Sequence, residues 1–353
     1  STEDVCEYVV KPACRAIIRR GKSVASTSGK NQAGFYTEVI SNQKNRKKFV
    51  SDTNFKGAFV SQARRCRFAQ LVDALTNHFS NKGRNLEEQF VWIDIFTCNQ
   101  MILTSKHHDT KTKKEMESLL THGLHWAIKQ FDEVVMFADT WSHPSPLKRA
   151  WCVWEIYGVS KADNKVIELA LSPEEQDDFL KTLTHDFDTV LDAISEIDTE
   201  KAGCFNENDK EMIDNEVAST VGYHTLNELI LNELREWLLV TATKEFEKMM
   251  SHAKDNPGED KFPLLMLSSC IGKLHHELGQ YSEGEKGLKR ALDLSHQADN
   301  HELVATNSFR LADLYREKGR LEDAHQLYDQ ALELLDEKFS GSALHAECLN
   351  SLG

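Results

Sequence analysis

Glu155 is the one charged residue in the stretch Ala150-Trp151-Cys152-Val153-Trp154-Glu155-Ile156-Tyr157. The stretch follows the apolar run Val134-Val135-Met136-Phe137-Ala138 after a loop holding Pro144 and Pro146. This order predicts a buried strand, a short loop, and a helix that carries a carboxylate just past the strand's carboxyl end. In doubly wound sheets ligands bind beyond those ends, so Glu155 is the first candidate for acid–base or electrostatic chemistry. A structural reading stands beside it: a carboxylate in a first helical turn is favoured by the helix dipole in any protein, and Arg149 is available to pair with it. Asp94, at the end of the apolar run Val91-Trp92-Ile93, is either a second pocket carboxylate or the cap of the next segment. Trp151 and Trp154 are large aromatics at a helix start, where packing on a sheet is the ordinary role.

These residues need a scaffold. Phe55 to Ser61 reads as a short buried strand. Phe68 to Phe79 reads as an amphipathic helix with Phe68, Leu71, Val72, Leu75 and Phe79 on one face. Strands are expected at Gln89–Phe96, Val134–Ala138 and Lys165–Leu171, and helices at Met116–Lys129 and Leu147–Lys161. Apolar strands alternating with helices predict a parallel sheet covered on both faces. Before it, residues 1–53 form an N-terminal segment, with a helical pattern over Val5 to Ile18 interrupted by Pro12 and a loop-like stretch from Ser23 to Asn31. After it, residues 173–254 read as a helical extension, interrupted around Cys204 to Asp209, with a clear stripe over Leu226 to Leu239. Asp255 to Asp260 has linker composition.

Composition narrows the function classes. The chain has 353 residues and a formal net charge of −14, which argues against a general phosphate footprint and hence against nucleic-acid binding. The basic stretch Lys44 to Lys48 is short and reads as a solvated face. No apolar run reaches the roughly 18 residues that span a bilayer, and no signal-peptide pattern opens the chain. The eight cysteines are scattered, with no CxxC pair, so reduced thiols and a cytoplasmic location are expected and no zinc site is indicated. Gly21-Lys22-Ser23 lacks the earlier glycine of a phosphate loop. His122 and His125 lack a carboxylate constellation for a metal, and Cys66 and Cys152 lack a base partner.

Residues 255–353 contain an internal repeat. Gly279 and Gly319 are 40 residues apart, as are Ala291 and Ala331. Each glycine follows one helical pattern and each alanine lies in the next. This resembles the tetratricopeptide repeat, in the longer variant of kinesin light chains: an all-α solenoid whose concave face binds a protein or peptide. A third repeat starts near Ala343 and is cut short, so the natural chain is expected to continue.

The segment Ala58-Phe59-Val60-Ser61, then Phe137-Ala138-Asp139-Thr140-Trp141 and Trp151-Cys152-Val153-Trp154-Glu155, resembles a Toll/interleukin-1 receptor (TIR) domain. The likeness covers roughly Asn54 to Leu171. The Glu lies four residues after the Trp, as in the plant-type members. The whole arrangement is similar to algal and protist proteins that carry a TIR-like module before tetratricopeptide repeats. That likeness implies a flavodoxin-like parallel sheet over residues 54–172 and a signalling role of innate-immunity type. It also implies self-association through the TIR-like module, and NAD as substrate rather than cofactor, cleaved at the nicotinamide–ribose bond. Glu155 would stabilise the oxocarbenium-like transition state. Trp92, Trp141 or Trp151 would stack on a base, Ser61 and Asp94 would line the mouth, and Arg64 or Arg65 would meet the pyrophosphate. Those relatives carry His and Trp where this chain has Gln62 and Arg64. A non-catalytic scaffold is the alternative expectation. A kinesin-light-chain-like adaptor is a weaker one, since no heptad coiled coil is present.

Overall fold

Four short parallel strands pair in the order β2-β1-β3-β4: β1 (Ala58–Ser61), β2 (Val91–Trp92), β3 (Glu133–Phe137) and β4 (Ile167–Ala170). The computed structural model describes residues 57–97, 122–162, 165–256, 260–338 and 343–352. The readings for residues 1–53 and most of the expected helix from Met116 lie outside these residues. The described chain is mostly helical, with this small sheet near its beginning. Helix α1 (Phe68–Asn81) lays Leu71, Ala74, Leu75 and Phe79 on Ala58, Val60, Val135 and Phe137. Because strand side chains alternate, Phe59 and Ser61 point to the opposite face. There the Phe59 ring stacks on Trp92, with centroids 4.6 Å apart.

The expected strand from Gln89 to Phe96 is shorter. Only Val91 and Trp92 pair with β1, opposite Ala58 and Phe59. The chain then turns into α2 (Asp94–Thr97), so Asp94 opens a short helix, where a carboxylate meets exposed N–H groups.

Past α3 (Leu124–Gln130) and β3, the loop is closed by Asp139, which accepts from the Ser145 amide (2.8 Å) and hydroxyl (2.5 Å). Ser145–Lys148 makes a 3-10 turn, and α4 (Ala150–Ser160) follows. Helix α4 is buried on most sides, through Cys152, Val153, Trp154, Ile156, Tyr157, Gly158 and Val159. An all-round apolar helix belongs in a core. Gly158 permits close packing on α3, since a Cβ there would stand 2.6 Å from the His125 ring.

The helical stretch beyond β4 breaks into α5 (Pro173–His185), α6 (Phe187–Ser195), α7 (Glu207–Thr220) and α8 (Tyr223–Asp255). The polar interruption before Asp209 becomes the non-helical run 196–206. The chain divides into two compact units. One ends at Asp177 and takes in Glu196–Glu233; the other takes Asp178–Ser195 and Leu234 onward. The extension is thus shared: 196–233 belongs with the sheet, while 178–195 and 234–255 belong with the repeats.

The second unit stacks α9 (Phe262–Glu277), α10 (Tyr281–Gln297), α11 (His301–Glu317), α12 (Leu321–Lys338) and α13 (Ala343–Leu352) as helical pairs. Gly279 and Gly319 take φ of 71° and 72°, the left-handed turn that glycine adopts without strain. Ala291 and Ala331 are fully buried. A closer contact, which the 40-residue period did not reveal, lies between α9 and α10. A Cβ on Gly287 would come within 2.7 Å of the Gly272 Cα. Gly287→Leu is therefore expected to destabilise the repeat unit by about 1–3 kcal/mol through overpacking, read as a lower midpoint in thermal unfolding followed by circular dichroism.

Candidate functional site

The strand order reverses direction between β1 and β3, and at such a switch point the carboxyl ends of neighbouring strands open a crevice. Ser61 ends β1 there, and Glu155 lies on α4 after β3. The Ser61 hydroxyl, 1 % exposed, donates to Glu155 Oε2 at 2.5 Å. Burial pushes the Glu155 carboxyl up to about 8. Ser61 opposes the rise through its hydrogen bond, Asp94 adds to it through negative charge, and Arg64 and Arg149 oppose it. Glu155 is the sixth residue of α4, beyond the first turn in which the dipole argument placed it. Its hydrogen bond goes to Ser61, and Arg149 acts on it through charge.

Asp94 faces this pair from α2. Arg64 donates to Asp94 Oδ2 through Nε (3.1 Å) and Nη2 (2.7 Å), and the Gln62 amide donates to Oδ1 at 3.1 Å. Ser61 thus comes from the end of β1, Gln62 and Arg64 from the loop after it, Asp94 from α2 and Glu155 from α4. Arg65 is exposed. The Trp92 ring is occupied by Phe59 and Phe131 below the mouth. Trp141 is partly exposed in the loop after β3, and its amide donates to Glu175 Oε2 at 3.2 Å. Trp151 is half-buried, and its indole N–H donates to Asp209 Oδ2 at 3.2 Å. Trp154 is core, stacked on His125 with centroids 4.5 Å apart.

Two contributors escaped the sequence reading, and both come from the 196–233 segment. The Gly203 carbonyl accepts from the Ala150 amide at 3.0 Å, and the Gly203 amide donates to the Lys148 carbonyl at 3.0 Å. The extension therefore caps the helix that carries Glu155. Asp209, whose carboxyl burial raises, is held by Trp151 and by the charge of Arg64. The polar composition around Cys204 to Asp209 was the only signal, and it reads equally as a loop.

Other groups are accounted for by packing. Burial raises the Cys152 thiol well above its ordinary value, with Glu155's charge adding to it, and raises Cys66 to about 11, so both thiols stay protonated at neutral pH. Burial lowers His125, whose Nε2 lies 2.8 Å from the Trp154 carbonyl. At the amino end of the sheet, His78, Glu133 and Glu168 draw together with metal-like spacing. Lys82 Nζ already donates to Glu133 (2.7 Å) and Glu168 (2.6 Å), and Arg84 to Glu133 (2.5 Å). Burial alone would raise Glu133, but His78, Lys82 and Arg84 outweigh it and hold the carboxyl at about 2. This is a compensated ion-pair cluster.

No helix among the described residues is long and apolar enough to cross a membrane. No curated protein and no solved structure matches the chain, so the TIR likeness rests on its sequence motifs alone. Residues 264–337 match the family model of the tetratricopeptide repeat, and that match supports a protein–protein interaction role for this part of the chain.

Proposed function

We propose that the sheet unit cleaves NAD between nicotinamide and ribose, and that the repeats bind a protein partner whose engagement brings copies of the chain together. The observation that carries the catalytic half is the Ser61–Glu155 pair at the switch point, a carboxylate whose proton affinity is raised by burial and tuned by Asp94 and Arg64. Strongly shifted groups in a crevice concentrate at functional sites. Nicotinamide leaves as a neutral base, so positive charge builds on the ribose. An ionised Glu155 stabilises that oxocarbenium character, and Ser61 fixes the carboxylate's direction. Arg64, where it exchanges Asp94 for a ligand, offers a planar fork for the pyrophosphate.

The purified 353-residue chain at high concentration, incubated with NAD, is expected to release nicotinamide; no release would overturn the catalytic reading. A second reading, a non-catalytic scaffold, draws on the repeat match. It would be favoured by partner binding without any turnover.

A further inference from the structure

We propose that the buried amide of Gln62 reads the carboxamide of the leaving group, so that the site cleaves an amide-bearing pyridinium dinucleotide in preference to its carboxylic acid analogue. This rests on the NAD-cleaving reading of the same site. Gln62 is 7 % exposed. Its Nε2 donates to Asp94 Oδ1 at 3.1 Å. A carboxylate has no proton to give, so this bond sets which way the amide faces. Asp94 is held in turn by Arg64, whose two bonds go to Oδ2 and leave Oδ1 for Gln62. Turning the amide over would set Oε1 against the Asp94 carboxylate. The chain Arg64–Asp94–Gln62 therefore holds Gln62 Oε1 in one orientation.

That oxygen is buried and has no hydrogen-bond partner among the described residues. Buried acceptors without a donor are uncommon and call for a reason. Here the reason is the neighbouring chemistry, since the preceding residue, Ser61, donates to Glu155. A ligand that reaches this oxygen must bring a donor. A primary carboxamide has two N–H groups and can direct one at Oε1. The acid analogue at neutral pH has only oxygens there, and it adds a negative charge close to Asp94 and to Glu155, whose ionised form the reaction uses. Sites that hydrogen-bond a substrate N–H reject analogues lacking it far more strongly than apolar pockets reject a missing methylene.

The test measures kcat/KM of the full chain for NAD and for its nicotinic acid analogue, with inhibition by free nicotinamide and free nicotinate as a second reading on the same wild-type protein. The amide is expected to be favoured at least about 30-fold, with nicotinamide inhibiting and nicotinate not. In Gln62→Met the preference is expected to fall to within about threefold of unity, mostly through slower turnover of the amide. The variant should melt close to wild type, because removal of the orphan acceptor offsets loss of the Nε2 bond to Asp94. Equal rates on both substrates, inhibition by both products alike, or an unchanged preference in Gln62→Met would overturn this inference while leaving the cleavage activity standing. Turnover of neither substrate would overturn the reading on which it rests.

Discussion

Glu155→Gln is expected to lower nicotinamide release by about 10²- to 10³-fold while making the protein more stable at alkaline pH. The rate loss follows from removing the one charge set to meet the developing cation, an effect of the size seen when a single preorganised electrostatic group is deleted. The stability gain follows from proton linkage. The folded carboxyl titrates at about 8, above its ordinary value of 4.5. Between those values the folded state holds a proton that the unfolded state has lost, so wild-type stability falls as pH rises through that window. Glutamine keeps the size and the acceptor for Ser61 and carries no charge to desolvate. Its advantage should be absent near pH 4, grow from about pH 4.5 to pH 8 and level off above. It should reach on the order of 2 kcal/mol after allowing for water at the partly open carboxylate. Thermal melts at pH 5 and pH 9 measure it, and a variant no more stable at pH 9 than at pH 5, relative to wild type, would contradict the linkage. The same titration predicts a wild-type kcat/KM that rises with pH towards 8. Asp94→Asn should move that limb to lower pH, because the neighbouring negative charge that raises Glu155 is gone.

Asp188→Ala is expected to cost the repeat unit about 2–3 kcal/mol. Arg310, with its side chain 12 % exposed, gives Asp188 both Nη2 bonds, at 2.9 and 2.8 Å. Lys273 adds a third at 3.2 Å. The Arg310 guanidinium also lies over the Phe187 ring at 4.7 Å and donates to Ser269 at 2.8 Å. Ser269 in turn meets the fully buried Asn307, which bonds Ser295 at 3.1 Å. Removing the carboxylate leaves a mostly buried cation short of its main partner, which costs 3–5 kcal/mol in a sealed interior. The half-exposed Asp188 side chain brings that down. Lys273→Ala should cost under about 1 kcal/mol, as partly exposed pairs do.

Burial alone would raise Asp188, but Arg310 and Lys273 outweigh it and hold its carboxyl low. Its contribution is present above the usual carboxylate range and lost as pH falls through the folded value, so wild type and variant should converge in acid. Chemical denaturation at pH 7 and pH 3 reads both effects. Equal stability at pH 7 would show that α6 is held by its apolar face alone.

Much of the local structure was legible in the residues. Leu71, Leu75 and Phe79 recur at helical spacing and are buried on the sheet with Phe68 packed against them, whereas Val72, expected on the same face, is 46 % exposed. Gly279 and Gly319 sit at a period that only a repeated turn requires. The apolar run around Glu155 announced a buried helix, and α4 is one. The strand ending at Phe96 was misread because Ile93, Ile95 and Phe96 look alike in a strand and in a short helix. The chain leaves β1 after Trp92 and opens α2 at Asp94, an outcome of tertiary pairing that no local pattern carries.

What the sequence determined by itself is therefore the kind and rough place of each element, the 40-residue repeat, and the isolation of one carboxylate in an apolar helix. These depend on periodicity and on the conformational demands of single residues, which act over a few positions. Only the tertiary structure decided that Ser61 and Glu155, 94 residues apart, share a hydrogen bond. It also decided that Arg64 and Gln62 hold Asp94, and that Gly203 caps the helix from beyond the sheet. The order β2-β1-β3-β4 places the ends of β1 and β3 side by side. A carboxylate's proton affinity is then set by whatever burial and charge that adjacency brings to it.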